Sequence, residues 1–167
     1  MVDADHLYGA DSHWWTFHHA DISIGFGGKK WSCDPLKEGK RSNTNWNNSD
    51  PDKWGITVLG CHVCSNGLST DKETVISGGN SGYQAINLAM HLGATRIILI
   101  GFDMTNHSGK THFFGDHPDV FKNGSKPDRF IAAFRTIKPA QYGIEILNCS
   151  RITALDAFDR VNLEDVF

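Results

Sequence analysis

The segment that most constrains the fold is "ETVISGGNSGYQAINLAMHLGATRIILIG", residues 73–101. It reads as a short strand, a turn with three glycines in six residues, an amphipathic helix and an apolar strand. Tyr83, Ile86, Ala89, Met90 and Leu92 fall on or near one helical face, and Gly93 ends the helix. "RIILIG" is the unbroken apolar run expected of a parallel strand buried on both faces. Strand, helix and strand in this order imply a parallel sheet, since parallel neighbours need a crossover between them.

The flanking sequence extends the pattern. "DHLYGAD", residues 5–11, is expected to form a short strand running into an acidic loop, with Ser12 capping a helix that begins "SHWWTFHHA". "DISIGFGGKKWS" is expected to carry a further strand, and "ITVLG" another. Residues 34–55, rich in Asn, Asp, Lys, Gly and Pro, read as a long surface excursion, and residues 103–127 as a second. "RFIAAFRTIKPAQYG" predicts a helix, "IEILNCS" the last strand, and "TALDAFDRVNLEDVF" a closing turn or helix. The expectation is one α/β domain over residues 1–167, a Rossmann-like parallel sheet with helices on both faces.

Composition narrows the function classes. A chain of 167 residues that is 40% hydrophobic suits a domain with a real core. No apolar run approaches the roughly 18 residues of a membrane span, and "MVDADHLYGADSHWW" lacks the basic-then-apolar order of a secretory signal, so a cytoplasmic protein without a membrane partner is expected. A net charge of -3 offers no basic face to a nucleic-acid polymer. Cys33, Cys61, Cys64 and Cys149 are expected to be reduced thiols. "CHVC" is a single C-x-x-C, with no second such pair and no H-x3-H to complete a zinc tetrad, so no metal site is assigned. Half-buried structural thiols are the favoured reading of Cys61 and Cys64, with metal binding through the fold or redox chemistry as alternatives.

The glycine turn points to a ligand. In open α/β sheets, ligands bind beyond the carboxyl ends of the strands. Gly78, Gly79 and Gly82 let the backbone approach a ligand closely, and the helix behind them offers free N–H groups and a positive dipole end, which favour phosphate. Ser77, Asn80 and Ser81 add polar side chains. The motif is neither G-x-G-x-x-G nor a Walker A loop, and tight strand–helix packing is the competing explanation. Asp103 in "GFD" is delivered to the same rim, to hold a sugar hydroxyl, orient a histidine or cap a loop. "KTHFFGDHP" then places Lys110, His112, Asp116 and His117 within eight positions. Histidine is the usual proton-transfer group near neutral pH, and spacing does not choose between His112 and His117. Asp11 and Trp14 follow the first strand onto the rim, and the aromatic cluster there either stacks on a base or sugar or is buried under loops.

Residues 77–104 together with "GKTHFFGDHP" and "GIEILNCS" resemble a group of phage and prophage proteins. That group is similar to the Rossmann-like domain shared by motility accessory factors, archaeal hydroxymethylpterin pyrophosphokinases and sialyltransferases of the Campylobacter type. "YGADSHWW" and "TALDAFDRVNLEDVF" fit the same group; the resemblance covers most of the chain, is most specific around residues 77–118 and is weak from about 34 to 70.

The resemblance implies that residues 77–82 contact a nucleotide and that His117 or His112, near Asp116, is a general base. Mg²⁺ is implied only for the phosphoryl-transfer branch. Relatives usually carry a strand and a "GGGPS"-like loop ahead of the segment that here reads "DADHLYGADSHWW". The resemblance therefore implies an N-terminally shortened domain with half the donor pocket missing, either completed by another subunit or binding without transfer. The expected function is a phage-type protein that grips a nucleotide or nucleotide-derived ligand and sequesters it in the cytoplasm of an infected or lysogenic bacterial host. The alternative is a glycosyl- or phosphoryl-transferase using a nucleotide donor and a histidine base. A homo-oligomer is expected, since a shortened sheet leaves an edge to cover.

Overall fold

The computed structural model describes residues 3–42, 46, 50–64, 66–105 and 126–166. The chain divides into two compact units, Met1–Cys64 with Leu68–Leu88, and Ser65–Gly67 with Ala89–Phe167.

The first unit contains strands β1 (His6–Tyr8), β2 (Lys29–Lys37), β3 (Lys40–Arg41), β4 (Ile56–His62) and β5 (Thr74–Ile76), helix α1 (Ser12–Gly25) and most of α2 (Ser81–His91). Four strands run parallel in the order β1-β2-β4-β5, and β3 folds back antiparallel on the end of β2. Alternation along β4 assigns the faces. Ile56 and Val58 join Trp15 and Ile22 of α1, whereas Leu59 and Cys61 join Cys33, Val75 and Leu88 of α2. Helices therefore cover both faces of a parallel sheet, which is a Rossmann-like α/β arrangement.

Several boundaries differ from the sequence expectations. The cap of α1 is Asp11, not Ser12: Asp11 has extended backbone angles and its carboxylate accepts from the His13 N–H at 2.8 Å, while Ser12 is the buried first residue of the helix. The further strand expected within "DISIGFGGKKWS" is β2, which starts at Lys29, while "DISIG" completes α1, because Trp15 and Ile22, seven positions apart, share the face that packs on the sheet. Residues 34–37 are not the start of an excursion but the second half of β2, with Asp34 opposite Gly60 and fully buried. Helix α2 begins at Ser81, so the loop before it spans only residues 77–80. Leu92 is 46% exposed and past the helix, and the buried face is instead Tyr83, Gln84, Ile86, Asn87 and Leu88.

The second unit holds β6 (Arg96–Leu99), β7 (Glu145–Asn148), β8 (Asp159–Arg160) and α3 (Pro127–Phe134). Its strands are parallel in the order β6-β7-β8. "RIILIG" is not buried evenly: Ile97 and Leu99 are buried, Ile98 is half-buried and Ile100 is 62% exposed. Helix α3 stops at Phe134, and Pro139 opens a separate 3₁₀ turn, Pro139–Tyr142. The closing segment supplies β8 and a 3₁₀ turn at Leu163–Asp165, where a turn or helix was expected. Its strand forms because Asp159 and Arg160 find free positions beside Leu147 and Asn148. Phe134, fully buried, meets Phe102 and Phe158 edge-on at 5.8 and 6.2 Å. Of the second expected excursion, residues 106–125 lie outside the described residues, and with them Lys110, His112, Asp116 and His117.

Candidate functional site

The site is built where β1, β4 and β5 end, at the carboxyl edge of the first sheet. After β4 the chain turns tightly, with the Cys64 N–H donating to the His62 carbonyl at 2.8 Å. This turn holds the start of the glycine loop: Ser77 N–H donates to His62 O at 2.9 Å and Gly78 N–H to Cys64 O at 3.0 Å. Within the loop, Gly79 N–H donates to Ser77 Oγ at 3.2 Å and Asn80 N–H to Ser77 O at 3.3 Å. Asn80 caps α2 by accepting from the Tyr83 N–H at 2.9 Å through Oδ1. The loop after β1 joins in, Ala10 N–H donating to Ser81 Oγ at 3.3 Å.

Two of the glycines have distinct physical reasons. Gly78 sits at φ 53 with the ring of the fully buried Tyr83 against its Cα, so any side chain there would overlap the ring. Gly79, exposed, has φ 76, a left-handed turn. Tight packing thus explains Gly78. A ligand is not needed to account for it.

The hydrogen-bond accounting leaves a smaller opening than the glycine count suggests. The N–H groups of Gly78, Gly79, Asn80 and Tyr83 are all engaged inside the protein. Those of Ser81 and Gly82, the first two residues of α2, make no hydrogen bond among the described residues. Two adjacent donors at the positive end of an 11-residue helix form an anion-sized opening.

No protein-family model matches the chain, and no curated protein or solved structure does. The site is therefore read from its own chemistry.

Beneath the loop lies a buried polar floor. Tyr8 donates to Gln84 Oε1 at 2.9 Å, Cys33 Sγ approaches the same oxygen at 3.6 Å, and Gln84 Nε2 donates to Ser77 O at 3.1 Å. Gln84 thus ties β1, β2 and the glycine loop together. Burial pushes the Tyr8 phenol far up, with Cys33 and Cys61 adding to the shift. The Cys33 and Cys61 thiols hydrogen-bond to each other, which together with burial pushes Cys61 up, whereas the contact lowers Cys33. Tyr8 and Cys61 are held neutral, whereas the contact with Cys61 favours the charged form of Cys33.

The remaining sequence candidates fall in separate places. Asp11 is exposed and caps α1. Trp14 is half-buried, meeting Trp15 edge-on at 5.1 Å and His18 at 5.0 Å. Trp15 is fully buried and donates to Gly9 O at 2.8 Å, and His19 stacks on Trp54 at 4.2 Å. Of the two readings of the aromatic start, the structure favours burial. Asp103 belongs to the second unit, where it is exposed and its carbonyl accepts from Ala154 N–H at 2.8 Å.

Three contributors escaped the sequence reading. His62 is exposed at the carboxyl end of β4, signalled only by its place after "ITVLGC". Tyr8 and Gln84 were hidden because a buried polar pair leaves no trace in hydrophobic periodicity. Among the described residues no three His, Cys, Asp or Glu side chains gather as metal ligands, and no helix is long and apolar enough to cross a membrane. A cavity of about 720 Å³ lies at the opposite, amino edge of the strands, lined by Asp3, Asp5, His6, Phe26 and Lys29 among others. It adjoins the carboxyl-terminal end of α1, where the dipole disfavours an anion.

Proposed function

We propose that the protein binds a phosphate-bearing small molecule, a nucleotide or a nucleotide-derived ligand, at the carboxyl edge of its first sheet. The observation that carries this reading is the pair of adjacent N–H groups on Ser81 and Gly82, which make no hydrogen bond among the described residues and lie behind the left-handed turn at Gly79. A phosphate oxygen accepting from both would complete the first turn of α2. The resemblance of residues 77–82 to nucleotide-contacting loops points the same way. Binding without turnover suits the neutral phenol of Tyr8 and thiol of Cys61 beneath the loop. Sequestration of a nucleotide by a homo-oligomer in the cytoplasm of a phage-infected or lysogenic host is the role we assign to it.

The test is a thermal-shift screen against nucleotides and nucleotide sugars, with each stabilising ligand re-analysed by mass spectrometry. A ligand at about 100 times its Kd adds roughly 2.7 kcal/mol of stability. Recovery of the ligand intact supports binding alone, and recovery cleaved or transferred makes the protein a transferase. Ser81→Pro removes one of the two N–H groups at a position where proline is tolerated. It is expected to weaken binding about tenfold, the equivalent of roughly 1.4 kcal/mol. Unchanged affinity would move the ligand away from this helix.

A further inference from the structure

Cys61 and Cys64 stand at the junction between the core and the glycine loop. Cys61, at 4% exposure, packs in the buried cluster with Cys33 and Val75, and its thiol donates to the His62 carbonyl at 3.9 Å. Cys64 is exposed and two residues past the end of β4. The tight turn closed by Cys64 N–H and His62 O at 2.8 Å brings Cys64 back toward the strand that carries Cys61. The same three-residue turn supplies both carbonyls, of His62 and Cys64, that hold Ser77 and Gly78. Oxidation state and loop geometry therefore meet in one short segment.

We propose that Cys61 and Cys64 are a dithiol–disulfide pair, closed by a hydroperoxide and reopened by a small thiol, whose closure loosens the glycine loop. Cys64 is the attacking group because it is the exposed thiol. Its thiolate attacks the terminal oxygen of the hydroperoxide; an S–O bond forms, the O–O bond breaks, and the departing alkoxide or hydroxide takes a proton. Cys61, once turned out of the buried cluster, then gives its proton to solvent and attacks the Cys64 sulfur. The S–S bond forms, the S–O bond breaks and water leaves. Two thiols lose two electrons and the hydroperoxide is reduced to an alcohol (or water) and water.

Closure has a structural cost that reaches the loop. Cys61 must turn away from Cys33 and give up its contact with the His62 carbonyl, which also accepts from the Ser77 N–H. The 62–64 turn must also change, and with it the anchors of Ser77 and Gly78. Reduced protein thus holds the loop in its ligand-ready form and oxidised protein does not. Only this last effect, on affinity, rests on the binding function proposed above.

The test treats the reduced full chain with hydrogen peroxide, blocks free thiols under denaturing conditions and maps the peptides by mass spectrometry. A Cys61–Cys64 link is expected, reversed by dithiothreitol, with Cys33 and Cys149 recovered as blocked free thiols. Sulfinic or sulfonic Cys64 beside a free Cys61, or a link to another cysteine, overturns the pairing. Cys64→Ser, at an exposed position, is expected to form no link. Amide exchange at Gly78 and Gly79 is expected to quicken about tenfold on oxidation, as local opening becomes easier. A formed disulfide with unchanged exchange at both glycines overturns the coupling. Neither readout needs a ligand, so a failure here is separate from a failure of nucleotide binding.

Discussion

The hydroxyl of Tyr8 donates to Oε1 of Gln84 across 76 residues of chain, at 2.9 Å. The bond joins the first strand of the sheet to the helix that carries the candidate ligand site. Tyr8→Phe is expected to cost about 1 kcal/mol of unfolding free energy, and Gln84→Leu about 2–3, because the latter leaves the Tyr8 hydroxyl without its acceptor and removes one of the two donors to the Ser77 carbonyl. The double variant should cost about 1 kcal/mol less than the sum, since both single changes remove the same bond. Urea unfolding of the four proteins measures this, and strict additivity would mean that the bond adds nothing.

Asn87 is the second polar fixture of α2. Fully buried, it accepts from the N–H groups of Ser69 at 2.8 Å and Ile76 at 3.1 Å, and donates to Ser69 O at 3.0 Å. Asn87→Ala leaves two buried donors and one acceptor without partners, and is expected to cost about 3 kcal/mol or more. Faster amide exchange at Ser69 and Ile76 would localise the damage, and protection equal to the unaltered protein would refute it.

The glycines separate by what surrounds them. Gly93→Ala, at φ 94 with open space around it, should cost only about 1 kcal/mol of left-handed strain. Gly78→Ala adds an overlap with the Tyr83 ring, and is expected to lose about 3 kcal/mol or more. Denaturant midpoints for the two variants give the comparison directly. Equal losses would show that the Tyr83 ring yields.

Acid stability carries a marker in the second unit. The Arg135 guanidinium grips Asp156 with both arms, Nε to Oδ1 at 2.9 Å and Nη2 to Oδ2 at 2.6 Å, and holds its carboxyl below the ordinary value of 3.8. The charged form is favoured in the folded state. The contribution is therefore complete above the unfolded pKa and fades as pH falls through the lower, folded one. Both side chains are 58% exposed, so the effect is modest and shrinks with salt. An NMR titration of the Asp156 carboxyl should find a midpoint below 3.8, moving up in Arg135→Ala. A midpoint at or above that value removes the pair from the acid response.

How much of this was legible beforehand follows from what each signal measures. The parallel α/β class came through because "ETVISGGNSGYQAINLAMHLGATRIILIG" encodes both periods and the turn between them. The strand expected within "DISIGFGGKKWS" came through as β2, but the reach of α1 through "DISIG" did not, since "ISI" has strand propensity and packing through Trp15 and Ile22 makes it helical. Asp34 was read as loop because a fully buried carboxylate in a strand runs against composition. In the candidate site, the glycine loop and its helix were visible. The polar floor of Tyr8, Gln84 and the paired thiols was not, because those contacts join distant stretches of chain. The glycine count also misled, as one of the three serves a neighbouring aromatic ring.

The strand orders β1-β2-β4-β5 and β6-β7-β8 share a property. Within each sheet, every main strand docks on the edge left by the one before it, and none is inserted between two already in place. During synthesis the amino-terminal part of a chain emerges first, at roughly 5–20 residues per second. Each parallel pairing can then form as soon as its strand clears the ribosome, without reopening what is already built. Among the described residues the longest wait for a side-chain partner is Tyr8's, exposed on a nascent first strand until Gln84 of α2 arrives.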